Sequence, residues 1–592
     1  MNAIHRIRGS RHNLIFSRGI KDGIFFLLVS LSPFFLYSPA SAAIPPGNDP
    51  GAQASRFQSE AIQERQTVEK KKVKKPDIKV EEKEAPAPAA RGPSFILKGL
   101  KVTGSTLFKD DDLLPIYESY LDKSVTFQEL DDIAKNITAK YKEKGYLTTT
   151  AYIPEQDIGA GKVEIRVAEG KMGDLTVEGN KWVSAPLVKK YIRVKKNEPL
   201  NLFILQRDLL QLNQNSDIEV KTVIAAGKEP GTSDIVLKVK DKYPYHASVS
   251  VDNQGTRLVG KWRDSFSVRS TNLTGRNDSI FFTTLVAELS AGNFGSYTIP
   301  LDTSGLKAGI DFTIFTTKLG SEYKVQDITG ISEIFTPHLS GDIYLSEDFQ
   351  ADVDSGLEIK SIKKFTQANI TSNDQLRLPY MGFDFTKVDT IGGGGQTTFS
   401  PKFTFGTSHF LGASKFDHPT ASRNGTGGFF FKYEQTIRRT QKMPQDSYIS
   451  IRSQFQTTSA TLPSSEQFQI GGMSSVRGYP EGEYIADIGA SLNVDWFFPC
   501  YLFPKDYKLP YAEAPLRQQI QPVIFMDLGG GKLKRAFPGE RPIRFLMGLG
   551  GGLKIQYNRN VFIRLEWAGR VGDRPGGGQG PSNFHMSFQL EV

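Results

Sequence analysis

Residues 584–592 read Phe-His-Met-Ser-Phe-Gln-Leu-Glu-Val, so that Phe584, Met586, Phe588, Leu590 and Val592 alternate with His585, Ser587, Gln589 and Glu591. Successive residues of a β-strand point to opposite faces. This segment therefore has one apolar and one polar side. The same grammar runs upstream. Val561, Ile563, Leu565 and Trp567 alternate with Phe562, Arg564 and Glu566. Ala490, Leu492, Val494 and Trp496 stand opposite Ser491, Asn493 and Asp495, and Tyr245, Ala247, Val249 and Val251 opposite His246, Ser248 and Ser250. A soluble sandwich would bury the apolar face in a core. A membrane barrel would turn it to lipid and leave the polar face in a watery lumen. The block 243–592 holds about 350 residues, and about 22 residues per strand and connection gives about 16 strands, an even number within the bacterial range. An open sheet in lipid would leave backbone groups unpaired, so it must close. The predicted fold class is a transmembrane antiparallel β-barrel.

The start of the chain supports this reading. Arg6, Arg8, Arg11, Arg18 and Lys21 precede an apolar run at 24–37, and Ala40-Ser41-Ala42 offers a small-residue cleavage site. Residues 1–42 therefore read as a secretory signal peptide. Only 39% of the 592 residues are hydrophobic, yet Gly (56), Phe (40) and Tyr (21) are plentiful. That balance suits turns and an aromatic surface, not helices that span with about 20 apolar residues each. Cys500 is the single cysteine, which rules out an internal disulfide, and the seven His are scattered without metal-ligand spacing. No metal and no cofactor are expected. The formal charge of +9 comes partly from the leader, and the Lys70–Lys75 cluster is answered by the acidic run 81–84. A solvated linker accounts for it, and nucleic acid is not an expected partner of an exported chain.

Between leader and barrel, residues 43–94 form a tether. Pro45, Pro46 and Pro50 open it, and Pro86 and Pro88 close it. Residues 52–68 inside it can form a helix with little apolar content: Ala54, Phe57, Ala61 and Ile62. Such a helix suits water or a polar lumen rather than an oil-like core. Two copies of one module follow, at 95–170 and 171–242. Leu100-Lys101-Val102-Thr103-Gly104 returns as Leu175-Thr176-Val177-Glu178-Gly179. Each copy reads strand, helix, helix, strand, strand. In the first, Thr126 and Glu129 make a capping box, and Leu130, Ile133, Ala134, Ile137 and Tyr141 recur at helical spacing. Strands are predicted near 147–153 and 162–168. In the second, helices are predicted near 184–193 and 201–212, and strands near 218–225 and 232–240.

The run Val476-Arg477-Gly478-Tyr479, preceded by Gly471-Gly472, resembles the loop signature of the BamA/TpsB superfamily. Phe525-Met526-Asp527-Leu528-Gly529 resembles that superfamily's F-x-D-x-G strand. The resemblance implies a long extracellular loop folded back into the barrel, its Arg477 paired with Asp527. The residue types fit that role, since a guanidinium in a confined lumen needs a carboxylate and the match can be bidentate. Asp495 also points inward by alternation and is a rival partner. The whole mature layout is similar to the transporters of two-partner secretion, the FhaC/ShlB type: plug helix, which the resemblance places at residues 52–68, linker, two POTRA domains and a 16-stranded barrel. Residues 152–157, with Tyr152, Pro154 and Gln156, resemble the P-x-Q segment of the first POTRA domain, a possible contact for the exported chain. The final residue departs from the pattern, since Val592 stands where many barrels carry an aromatic residue.

The resemblance implies an outer-membrane protein with periplasmic POTRA domains. It implies export of an unfolded partner of adhesin or haemolysin type, itself carrying an N-terminal β-helical secretion domain. Outer-membrane lipid and the barrel-assembly machinery are the other expected partners. No enzyme activity is expected. Gly392–Gly395 has the look of a hairpin turn, Gly529-Gly530-Gly531-Lys532 lacks P-loop spacing, and no serine sits in a nucleophile elbow. Two rival functions stand beside export. A BamA-like assembly factor would be favoured by more than two POTRA repeats. A passive porin would need neither the repeats nor the loop.

Overall fold

The computed structural model describes residues 46–69, 78–80, 94–158, 160–537, 540–558, 560–572 and 580–592. The leader expected at 1–42 and most of the tether lie outside them. A short 3-10 turn (Pro46–Asn48) leads into helix α1 (Pro50–Glu69), and β1 (Ile78–Val80) follows.

The first α/β module comprises β2 (Phe95–Ile96), β3 (Gly99–Thr103), α2 (Asp110–Tyr117), β4 (Ser124–Val125), α3 (Phe127–Glu143), β5 (Thr150–Tyr152) and β6 (Lys162–Ala168). The capping box predicted from sequence starts α3. Thr126 Oγ1 accepts from the Glu129 amide, and the Glu129 carboxylate accepts from the Thr126 amide at 2.6 Å. Leu130, Ile133, Ile137 and Tyr141 are buried on one face of α3. Burying each such side chain is worth about 1.5–3 kcal/mol. That face covers a sheet ordered β3-β6-β5, in which β3 runs parallel and β5 antiparallel to β6. β5 is shorter than predicted, because the Thr149 amide turns back to the Tyr146 carbonyl at 3.2 Å.

The second module repeats the plan with β7 (Lys171–Glu178), α4 (Ala185–Lys190), α5 (Leu202–Asn213), β8 (Ile218–Ala226) and β9 (Thr232–Asp241). Asn201 caps α5 by accepting from the Phe203 and Ile204 amides. The sheet is ordered β1-β8-β9-β7. The tether segment β1 thus adds itself in parallel to the outer edge of β8, with Ile78 opposite Thr222 and Val80 opposite Ile224.

Sixteen antiparallel strands then close into a barrel. They are β10 (Tyr245–Asp252), β11 (Arg263–Ser270), β12 (Ser279–Ala287), β13 (Ser290–Pro300), β14 (Lys307–Lys318), β15 (Ile328–Leu345), β16 (Phe349–Thr366), β17 (Asn369–Asp389), β18 (Gly395–Gly406), β19 (Phe430–Lys442), β20 (Tyr448–Thr458), β23 (Ile488–Phe497), β24 (Ile520–Lys532), β25 (Ile543–Tyr557), β26 (Val561–Gly572) and β27 (Ser582–Glu591). The hairpin β21 (Phe468–Ile470) and β22 (Tyr484–Ala486) sits in the loop between β20 and β23. β27 pairs with β10, Leu590 opposite Val249, so no lipid-facing edge is left unsatisfied. The alternation sorts the faces as read. In β14, Ile310, Phe312 and Ile314 are exposed outward, while Asp311, Thr313 and Phe315 are buried inward. Gly392–Gly394 turn between β17 and β18 with positive φ.

The second module sits on the barrel rim. Asp217 meets His246 Nε2 at 2.9 Å and accepts from Thr271 Oγ1 at 2.7 Å. Asn215 donates to the Thr271 carbonyl at 3.0 Å and to Asn277 Oδ1 at 2.7 Å.

Candidate functional site: the filled lumen

Two segments of the chain occupy the lumen, the loop 459–487 and helix α1. The loop returns into the barrel from the end opposite the modules, and Val476-Arg477-Gly478-Tyr479 forms its tip. Gly478 adopts φ +94°, and the Ala568 and Gly569 carbonyls lie 3.2 Å from where a Cβ would stand. Both the turn and the close approach require glycine. The opposite wall gives way in the same manner. A Cβ on Gly548 would lie 2.0 Å from the Arg477 carbonyl oxygen, and one on Gly529 would lie 2.6 Å from Val476 Cγ2. Val476 and Tyr479 are buried in an apolar cluster with Ile470, Tyr484, Leu533 and Leu546.

Arg477 is 1% exposed. Its Nε and Nη2 donate to the two Asp527 oxygens, each at 2.7 Å, and its own amide donates to Asp527 Oδ2 at 3.0 Å. Nη2 also donates to Asp495 Oδ1 at 2.5 Å, and Nη1 to Glu566 Oε2 at 3.0 Å. The Phe525 ring lies flat below, 3.5 Å from the guanidinium carbon. Asn493 donates to Asp527 Oδ1 at 2.7 Å and to the Ser475 carbonyl. The bidentate Asp527 contact expected from the sequence is present. Asp495, its rival there, is engaged at the same time. Glu566 was not singled out from sequence, although alternation already placed it on the lumen face of β26. Asp527 and Glu566 are fully buried. Burial is tolerable because each carboxylate has a charged partner and further hydrogen bonds, with Arg564 also donating to Glu566.

A second anchor holds the base of the loop. Glu466 accepts from Lys360 Nζ at 2.7 Å and from Lys432 Nζ at 2.8 Å, on β16 and β19. Glu358 pairs with Lys360 at 2.7 Å and with Lys402 at 2.7 Å. Asp487, fully buried, accepts from the Leu462 amide and the Gln467 side chain. Sequence reading gave no signal for these residues beyond their inward parity.

Helix α1 covers the span predicted as a plug, 52–68, and lies inside the barrel. Ala54, Phe57 and Ala61 pack on Phe281, Leu285, Phe294 and Phe315 of β12–β14. The lumen thus carries an apolar seat that a purely polar interior would not provide. Polar contacts complete the fit: Arg65 with Asp311 at 2.8 Å, Glu60 with Arg263 at 2.9 Å, and Glu64 with Ser267 at 2.9 Å. The start of α1 also touches the loop. Gln469 donates to the Ala52 carbonyl at 2.6 Å, and Arg56 meets Glu481 at 3.5 Å. A cleft remains between α1 and the wall of β14–β19, bordered by Asp342, Asp384, Lys402, Glu434 and Arg438.

In the first module, Tyr152 ends β5 and is half-exposed. Gln156 spends its amide inside the domain, donating to the Pro154 and Glu164 carbonyls and accepting from the Glu164 amide at 2.6 Å. It extends the pairing of β6 as a side-chain substitute for a strand. Among the described residues no group of three or more His, Cys, Asp or Glu side chains is placed to hold a metal ion.

The family described as haemolysin secretion/activation protein ShlB/FhaC/HecB matches residues 231–555, and the ShlB-type POTRA domain matches residues 95–170. The heme/hemopexin transporter protein HuxB of Haemophilus influenzae is 24% identical over 445 residues, covering 71% of this chain and 73% of that protein. The outer membrane transporter CdiB of Dickeya dadantii is 24% identical over 413 residues, covering 66% and 70%. The solved structure of CdiB from Escherichia coli superposes with a TM-score of 0.71 at 18% identity, over 93% of this chain and 100% of that one.

Proposed function

The chain belongs to the haemolysin secretion/activation family ShlB/FhaC/HecB, and on that premise we propose how its transport step runs. It is an outer-membrane β-barrel transporter whose POTRA domains face the periplasm, and it carries a secreted partner protein to the cell surface. The partner is of adhesin or haemolysin type and arrives unfolded, led by an N-terminal β-helical secretion domain. An exposed strand edge offers it backbone donors and acceptors. The outer edge of β5, beside Tyr152, carries no further strand among the described residues, whereas β8 is already paired with β1. Capture at β8 therefore requires β1 to leave.

The observation that carries this reading is the filled lumen. α1 and the loop occupy the barrel through hydrogen bonds, ion pairs and small apolar contacts. Opening then means displacing these segments, with no new hole needed in the wall. Arg477 sets the loop as a lock against the β23–β26 wall, and α1 is the segment that moves out. Folding of a repetitive β partner outside draws the chain forward, because each solenoid repeat adds stability to the last. Deleting the protein and comparing extracellular with outer-membrane proteins tests the reading. Loss of one large extracellular protein is expected. Depletion of many outer-membrane barrels would instead mark an assembly factor.

A further inference from the structure

Strand parity places the connections β11–β12, β13–β14, β15–β16, β17–β18, β19–β20, β23–β24 and β25–β26 at the POTRA end of the barrel. Six of them are three to eight residues long, and the β23–β24 connection runs to 22 residues, 498–519. Short periplasmic turns are the rule for such barrels. This long one is not loose. Pro499, Pro504, Pro510 and Pro515 stiffen it, and the short helix α6 (Leu516–Gln519) ends it. The Cys500 amide donates to the Arg517 carbonyl and the Leu516 amide to the Tyr507 carbonyl, both at 2.8 Å. Neighbouring turns hold it from outside. Tyr501 Oη donates to the Gln445 carbonyl at 3.0 Å, Tyr557 Oη to the Pro510 carbonyl at 2.8 Å, and Asn558 Nδ2 to the Tyr511 carbonyl at 3.0 Å. The braced loop nevertheless displays Leu502 at 90% and Tyr511 at 96% exposure, with Tyr501 and Tyr507 half-exposed.

We propose that residues 498–519 form an interfacial foot that rests in the lipid headgroup layer of the periplasmic leaflet. The patch continues an existing lipid-facing band. Trp496 and Ile524 are exposed on the outer wall just before and after the loop, and Trp496 packs on Phe498 with ring centroids 4.7 Å apart. Tyr, Trp and Lys are the residues suited to a membrane–water boundary, and Lys505 and Lys508 lie exposed among the tyrosines. An extended exported polypeptide fits less well. It needs a free strand edge, and residues 498–519 contain turns and bends but no strand. The foot also has a mechanical sense. The second POTRA domain holds the rim at β10–β12 and β15, through His246, Thr271, Asn277 and Asp342, while the foot spans the turns β19–β20 and β25–β26 on the opposite arc. The inference rests on the barrel lying in a membrane and not on what the barrel transports.

Nitroxide labels at Leu502→Cys and Tyr511→Cys, each in a Cys500→Ser background, test it in phosphatidylethanolamine–phosphatidylglycerol vesicles. Lys228→Cys on the second POTRA domain gives the water reference. The ratio of oxygen to nickel-chelate accessibility is expected to be several-fold higher at 502 and 511 than at 228. Equal ratios would overturn the proposal. Because Cys500 is buried, a second measurement leaves it in place: benzoylphenylalanine at position 511, irradiated in whole cells, is expected to give a phospholipid adduct. A protein adduct in its stead would assign the patch to a polypeptide and end the lipid reading.

Discussion

The loop and the plug helix share one lumen but are held in different ways. At the loop tip a single guanidinium meets three carboxylates from β23, β24 and β26 and stacks on Phe525, with Asp527 and Glu566 fully out of water and Asp495 half-buried. The energy is concentrated in one cation. Along α1 the polar contacts are spread over several turns: Arg65–Asp311 is buried, while Glu60, which pairs with both Arg56 and Arg263, is a third exposed. A cleft wide enough for many waters runs along the other side of the helix. Concentrated burial makes a latch that fails as a unit, whereas distributed, partly hydrated contacts can be released one after another.

The largest expected effect is at the latch. Arg477→Ala leaves Asp527 buried without its cation and Glu566 with Arg564 alone, and breaking a buried pair in this way costs about 3–5 kcal/mol. Secretion should fall sharply while the barrel stays in the membrane and keeps its heat-modifiable mobility on gels. Normal secretion by this variant would erase the contrast between the two seats. Gly548→Ala should come next. It keeps every charge but drives a Cβ onto the Arg477 carbonyl, so the loop must shift. Faster proteolysis of 471–482 from outside is the readout, with secretion reduced less than in Arg477→Ala.

On the plug side, Glu60→Ala removes two partly hydrated pairs worth about 1 kcal/mol together. More frequent channel openings in planar bilayers are expected, with secretion retained. Unchanged conductance would mean that α1 is seated as firmly as the loop. The smallest effect concerns the junction with the second POTRA domain. Burial pushes the Asp217 carboxyl up, but hydrogen bonds with His246 and Thr271 and the charge of Arg269 outweigh it, leaving Asp217 below the usual aspartate value. A carboxyl depressed on folding stabilises the junction above its unfolded pKa of about 4 and loses that contribution as pH falls through the folded value. Spin-label distances between the second POTRA domain and the rim should broaden below about pH 4 and stay narrow at neutral pH.

Much of this was legible locally. The Thr126–Glu129 capping box and the spacing of Leu130, Ile133 and Ile137 gave the start and the buried face of α3, because helix starts and faces are set within a few neighbours. Ser582–Glu591 was legible because period-two alternation needs no partner to be seen. The plug span was also visible, yet its apolar seat was not. Phe281, Phe294 and Phe315 face inward against the general rule that the lumen is polar, and composition cannot say which wall a helix will meet. Lys360, Lys432 and Glu466 carry no local signal for a similar reason: lone charges on two strands and a loop have no spacing that marks them as a set.

The sequence alone determined that this chain closes a sheet with an apolar outside and a polar inside. Side-chain parity is a property of each strand, and water and lipid then dictate which face goes where. It also fixed Arg477 as a cation that must find an acid. Which acids, only the tertiary structure decided. Asp495, Asp527 and Glu566 converge because β23, β24, β25 and β26 pair in one register and because Gly529 and Gly548 let the loop approach the wall. Glu566 lies 89 residues from Arg477 along the chain, and a contact of that range follows from register and packing, which no local pattern encodes.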